Sequence, residues 1–279
     1  MHHGSPREGV CMKRIYHMSI DPSVRSIATE NQLKGLFFES LCLGATADGS
    51  AVTDLKRKPN GEKTIAQERL EAQHSVFELG CVKHFITVAK KINTQVKVFK
   101  RFNDYAIIQA TTDLFPTQML YEKTILPVVA IDIKVTGDLD NDFGEFGWGN
   151  VDNMDHTQMI LTNYILRDID MDLNAKMDSN LAKHGLIRHE YLDHLQNVPV
   201  FYWVFEHGKK MRNRIFKVNV DSARIRELEE VLRKVIIIIE DEFVNNGWQA
   251  NPSYKECEHC PLNYLNGGTC NEAQIIKEV

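Results

Sequence analysis

The chain has 279 residues, 43% of them hydrophobic and 25% charged, which is the balance of an ordinary globular protein able to bury a sizeable core. Its net charge of −5 excludes a strongly basic protein, so any binding to nucleic acid must depend on where the cations lie. The apolar run Val235 to Ile239 is far too short to span a bilayer, and no N-terminal stretch has the build of a secretion signal. The expectation is a cytoplasmic protein with no membrane association.

Residues 1–28 lack strong periodicity and read as a surface wrap. Thr29 and Gln32 fit a capping box, in which each side chain satisfies a free backbone N–H of the other. Leu33, Leu36, Phe37, Phe38 and Leu41 supply the apolar stripe of the helix that follows, and Gly44 and Gly49 mark the loop after it. Pro59, Asn60 and Gly61 form a turn in a polar segment. A second helix is predicted from about Ile65 to about Lys91. The period then changes. Val96–Phe99, Tyr105–Thr111 and Ile125–Val135 are rich in β-branched and aromatic residues and read as a three-stranded meander. Val128–Ile133 is apolar apart from Asp132, as in a strand covered on both faces. After a loop rich in Gly, Asn and Asp (138–155), a helix takes His156 to about Arg167. Val198–Glu206 and Arg214–Val220 pair as a hairpin turning near Gly208. Ser222 can cap a long helix reaching about Phe243, whose run around Ile236 points to burial on most sides. The whole reads as a mixed α/β domain with a sheet covered by helices.

Asp132 is an acid inside this apolar strand, and Lys134 stands two residues on, at the same face. Burying either charge without a partner costs several kcal/mol, roughly. One explanation is a strand end open to water, with the two as an exposed pair. The other is a hydrolytic site. Asp113 closes the preceding strand, and the 18 residues between it and Asp132 allow the two acids to meet across a turn. Clustered carboxylates repel one another, and a hard divalent cation resolves that conflict. Two groups of cations, Lys90, Lys91, Lys97, Lys100 and Arg101, then Lys209, Lys210, Arg212, Arg214 and Lys217, are either solvated faces or patches for a polyanion.

Six cysteines are present. In a reducing compartment Cys257, Cys260 and Cys270 have metal-ligand spacing rather than that of a disulfide framework. Cys42 and Cys81 read as packing residues. His156 at a helix start reads as a capping or packing residue, and Trp148 as a loop anchor that has the alternative of stacking on a base. Asp138, Asp140 and Asp142 resemble a calcium loop at first sight, but the closing bidentate Glu is missing at the required distance, which rules calcium out.

The helix motif Gly35-Leu36-Phe37-Phe38-Glu39, then Asp113, the strand Ile131-Asp132-Ile133-Lys134, the loop Thr136–Gly149, the segment Asp155-His156-Thr157-Gln158 and the terminal cysteines follow one another in an informative order. In that order the chain resembles the PD-(D/E)XK nuclease superfamily, in particular its phage-type branch related to RecB nuclease domains and CRISPR-adaptation nucleases. The resemblance implies a restriction-endonuclease-like α/β core, with a central mixed β-sheet flanked by helices and a C-terminal cysteine cluster. It implies one domain over 1–279, with its core at 29–250 and a cysteine-bearing tail at 251–279. It also implies a DNA nuclease, most simply an exonuclease of phage-type recombination or DNA processing. Asp113, Asp132, Glu39 and the backbone carbonyl of Ile133 would bind Mg²⁺ or Mn²⁺. Lys134 would orient or deprotonate the attacking water, and Gln158 would contact the site or the DNA. Cys11, Cys257, Cys260 and Cys270 would hold a [4Fe–4S] cluster, with zinc or free thiols as the alternatives. DNA ends, and a recombination or annealing protein, are the implied partners, and oligomers are compatible with it. The rival reading is a non-catalytic DNA- or protein-binding module that keeps the fold. One departure stands out: many relatives carry Q-x-x-x-Y, whereas here Thr162 follows Gln158 by four residues. The tyrosine comes at Tyr164, six helical steps of about 100° from Gln158 and off its face, which favours core packing for it.

Overall fold

The computed structural model describes residues 28–45, 51–53, 55–85, 93–104, 106–140, 147–153, 156–177 and 194–244, together with Cys260, Leu262 and Cys270. The chain divides into two compact units, Leu33–Ile225 and the pair of segments Met1–Gln32 and Arg226–Val279. The first is shorter at both ends than the expected 29–250 core, and it carries every element of the site described below.

Helix α1 (Glu30–Leu43) starts at the predicted box. The Thr29 N–H donates to Gln32 Oε1 at 2.8 Å, and the Gln32 N–H donates to Thr29 Oγ1 at 3.3 Å. Helix α2 (Ile65–His84) is capped by Thr64, whose side chain accepts from the Gln67 N–H. It stops well before the predicted Lys91 because Phe85 turns extended (φ −105°, ψ 113°) and bridges to Met119. Residues 86–92 lie outside the described part.

Strands β1 (Asn93–Arg101), β2 (Ile107–Phe115), β3 (Thr117–Tyr121), β4 (Thr124–Val128) and β5 (Ala130–Thr136) follow. Helices α3 (Thr157–Arg167) and α4 (Met171–Lys176), strands β6 (Val200–Glu206) and β7 (Asn213–Val218), and helix α5 (Ser222–Val244) complete the order. One five-stranded sheet runs β1-β2-β5-β6-β7, with β5 and β6 parallel and the other neighbours antiparallel. It is a mixed α/β fold with a central mixed sheet flanked by helices, as the sequence predicts, and two cysteines described near the C-terminus are buried.

The predicted meander is corrected in detail. Ile125–Val135 is two strands, and β3 pairs with β4 as a separate hairpin between β2 and β5. Pro116, which cannot donate to a ladder, separates β2 from β3, and β4 and β5 are parted at Val129, whose N–H donates to Pro116 O at 3.2 Å. The hairpin turns at Glu122 and Lys123, both at positive φ (46° and 67°), the backbone that a two-residue loop demands. No Gly, Asn or Asp stands at Glu122 and Lys123 to mark that reversal in the sequence.

Alternation along the strands makes two faces. Ile131 and Ile133 of β5, with Phe201, Trp203 and Phe205 of β6, pack against Phe37 and Phe38 of α1 and Phe77 of α2. Asp132 and Lys134 therefore point to the other face, where α3 lies. The outer edge of β1 is covered by Asn174 of α4, whose Nδ2 donates to Phe99 O at 2.6 Å and whose Oδ1 accepts from the Phe99 N–H at 3.0 Å. One carboxamide thus stands in for a missing strand. The β6–β7 hairpin turns where Gly208 predicts. Helix α5 is capped by Asp221 rather than by Ser222: Asp221 Oδ1 accepts from the N–H of Ala223 and of Arg224, at 2.9 Å each. Burial on most sides is not found at the described part of its apolar run, where Val235 and Ile236 are half-buried and Ile237 is 63% exposed. No described helix is long and apolar enough to cross a membrane.

A Cβ placed on Gly80 of α2 would fall 2.5 Å from Trp203 Cζ2 and 2.7 Å from its Cη2. Gly→Ala in a helix ordinarily stabilises by up to about 1 kcal/mol. Here the sign reverses: Gly80→Ala is expected to destabilise by about 1–3 kcal/mol through overpacking, read by thermal or urea melting. Combining it with Trp203→Phe should recover part of the loss of the alanine variant, which would show the contact to be the cause.

Candidate active site

The pairing of β2 with β5 is recorded at one position, Leu114↔Ile131. In an antiparallel pair this sets Asp113 across from Asp132, on the face opposite the apolar core. Beyond that point side chains of β2 replace its backbone. Thr112 Oγ1 donates to Ile131 O at 3.0 Å, and the Ile133 N–H donates to Asp113 Oδ2 at 2.7 Å. Asp113 does not end its strand as the sequence predicts, because β2 continues to Phe115. In a strand the N–H and C=O of one residue point to the same side, so the Ile133 carbonyl also faces Asp113.

Asp132, nearly fully buried, forms an ion pair through Oδ2 with Lys134 Nζ. Its other oxygen accepts from Gln158 Nε2 at 2.9 Å, and Lys134 Nζ donates to Gln158 Oε1 at 3.3 Å. Gln158, on the first turn of α3, thereby closes a three-residue ring with the acid and the lysine. Glu39 of α1 reaches the site through a residue that sequence reasoning missed. Gln95 Nε2 donates to Glu39 Oε1 at 2.9 Å and to Asp113 Oδ1 at 3.4 Å. A glutamine in an ordinary strand carries no sequence signal of this role.

Burial, then Asp132 and then Glu39 push the Asp113 carboxyl well above its usual range, against the pull of Lys134 and the Ile133 N–H. Burial works against the Lys134 ammonium, but Asp132 and Asp113 outweigh it and hold the amine above its ordinary value. Hard oxygen donors without a His or Cys set are the donor chemistry of Mg²⁺ or Mn²⁺. Among the described residues no three acids, cysteines or histidines already converge as a finished cage. Amide and ammonium donors stand between the carboxylates instead.

Tyr164 is buried in α3 with Lys100 Nζ 4.1 Å from its ring centre. Trp148 anchors its loop, stacked on Phe216 with ring centres 5.7 Å apart. His156 packs on Tyr202 and its Nε2 lies 2.7 Å from Val151 O; its side chain caps no helix N–H. Asp138 and Asp140 are engaged by Arg212, and Asp140 also by Lys210, while Asp142 lies outside the described residues. Cys81 is in the core, its thiol pushed up to about 12 by burial and then Glu78; Cys42 is half-buried beside that core, its thiol raised further by burial and then Cys81. Cys260 and Cys270 are buried, and Cys11 and Cys257 lie outside the described residues.

Comparison with known proteins bears on the fold. No family model matches the chain, and no curated protein matches it. The crystal structure of a protein from Eubacterium rectale that carries a provisional exonuclease designation aligns with 94% of this chain and 81% of its own, at 14% identity and a TM-score of 0.50. A second solved structure aligns over 94% of both chains at 12% identity, but its TM-score of 0.28 supports no argument. The first likeness supports a shared fold.

A carboxyl whose folded pKa is raised binds its proton more tightly in the folded state. Its contribution is therefore greatest at low pH and is lost as pH rises from the ordinary carboxylate range through the raised value. Without divalent metal, melting temperature should fall across that window. Asp113→Asn keeps an oxygen for the Ile133 N–H and removes the charge. It should melt a few degrees above the wild type at neutral pH in EDTA, with a flatter pH profile. An unchanged profile in differential scanning calorimetry would show that Asp113 is not the group responsible.

Proposed function

We propose that this chain is a metal-dependent DNA nuclease that hydrolyses phosphodiester bonds, acting as an exonuclease in DNA processing. What supports the reading is the convergence of Asp113, Asp132, Lys134, Gln158 and Glu39 from four elements around the point where β2 meets β5. Such an accumulation of buried charge is costly unless it is used. The fold shared with the Eubacterium rectale protein of provisional exonuclease designation is compatible with it.

Asp113, Asp132 and Glu39, with the carbonyl of Ile133, are the groups that would hold Mg²⁺ or Mn²⁺. When bound, the cation would polarise the scissile phosphate, lower the pKa of water and offset charge on the leaving oxygen. Lys134 is an ammonium with donors to spare once it leaves Asp132. It would hold the attacking water and donate to a non-bridging phosphate oxygen as negative charge grows there. Gln158 fixes both partners: its amide N–H holds Asp132 while its oxygen steers the lysine. The Ile133 N–H orients Asp113. Cys11, Cys257, Cys260 and Cys270 are proposed as a structural [4Fe–4S] or zinc site, distinct from this centre.

Asp132→Ala and Lys134→Ala should each lose cleavage of end-labelled linear DNA in Mn²⁺ by roughly 10²-fold or more. Full activity in either variant would remove the site assignment. Release of label from linear but not closed circular DNA would separate exonuclease from endonuclease action.

A further inference from the structure

Gln95 sits in β1 with φ of +52°, a backbone that L residues rarely adopt. Its neighbours Thr94 and Val96 keep their register with Leu114 and Thr112. The distortion therefore does not reset the ladder. It re-aims one side chain, and that side chain ends between two acids from different elements. Its Nε2 lies 2.9 Å from Glu39 Oε1 of α1 and 3.4 Å from Asp113 Oδ1 of β2. Outliers of this kind persist where surrounding structure imposes them, and they gather at working sites.

We propose that Gln95 is a positioning residue whose carboxamide holds Glu39 beside Asp113, in the spacing that lets both reach one divalent cation. The proposal rests on the reading that these acids bind that cation. The residue type fits the task. A lysine or arginine between the acids would cancel their charge and compete with the cation. A neutral carboxamide orients two carboxylates and leaves their charge available.

The test is Mn²⁺ affinity, measured by electron paramagnetic resonance titration of metal-free protein without DNA. Gln95→Asn and Gln95→Gly both tolerate positive φ, so they keep the backbone while the amide falls short or is lost. Each should bind Mn²⁺ about tenfold or more weakly than wild type, as for other groups that orient metal ligands, while still melting cooperatively. Gln95→Met keeps the side-chain length without a donor and should lose affinity likewise. Wild-type affinity in any of the three overturns the proposal, and the methionine variant decides it where the smaller ones fail to fold. Asp132→Ala, titrated in parallel, separates the two levels. If it loses Mn²⁺ while the Gln95 variants keep it, the role of Gln95 alone falls. If it binds like wild type, or wild type binds none, the metal assignment falls and Gln95's role with it.

Discussion

The hydrogen bond from the Ile133 N–H to Asp113 Oδ2 is the contact on which the site depends. In a regular ladder that N–H would go to the backbone of β2. Here a carboxylate takes it, and Thr112 takes the carbonyl of Ile131 in the same way. The two strands can therefore separate beyond Leu114↔Ile131 without orphaning buried polar groups. The separation makes room for chemistry, and the hydrogen bonds that allow it fix the acid that borders the opening.

Around that contact the charges are held in two sets. Asp132, Lys134 and Gln158 form a closed ring, while Asp113 and Glu39 are bridged by Gln95. Burial raises the cost of each anion, and like charges raise it again, so Asp113 is the most strained member electrostatically. Lys134 offsets only part of this. In the proposed reading a divalent cation would supply the rest.

Much of this was legible in the chain itself. The Thr29–Gln32 box and the β6–β7 hairpin follow from local chemistry and period, and the mixed sheet is what the resemblance implied. Asp132 and Lys134 were conspicuous because charges interrupt an apolar strand. Tyr164 was set aside by helical arithmetic, and it is buried in α3. Other features had no local mark. The turn of the β3–β4 hairpin uses Glu122 and Lys123 where glycine is the usual signal. Asp221 rather than Ser222 caps α5 because the choice depends on where the first helical N–H groups point. Gln95 is defined by a backbone distortion and by partners 56 and 18 residues away in sequence, which no short pattern records.

The apolar face explains why so polar a site is tolerated. Ile131 and Ile133 alternate with Asp132 and Lys134, so the same strand that exposes charge on one side is fixed on the other by Phe37, Phe38 and Phe77. Its far end is fixed as well. The His207 N–H donates to Thr136 O at 2.9 Å, and Gln73 of α2 donates to the carbonyls of Glu206 and Arg212, tying the following hairpin to the helix layer. Glu206 is buried and paired with Arg212, which also reaches Asp138 and Asp140 just beyond β5. For the proposed hydrolysis such anchoring matters, since misplacement by about 1 Å can cost two orders of magnitude in rate. On a strand held at both ends and on one face, the freedom left to Asp132 and Lys134 is mainly that of their own side-chain torsions, and Gln158 removes part of that.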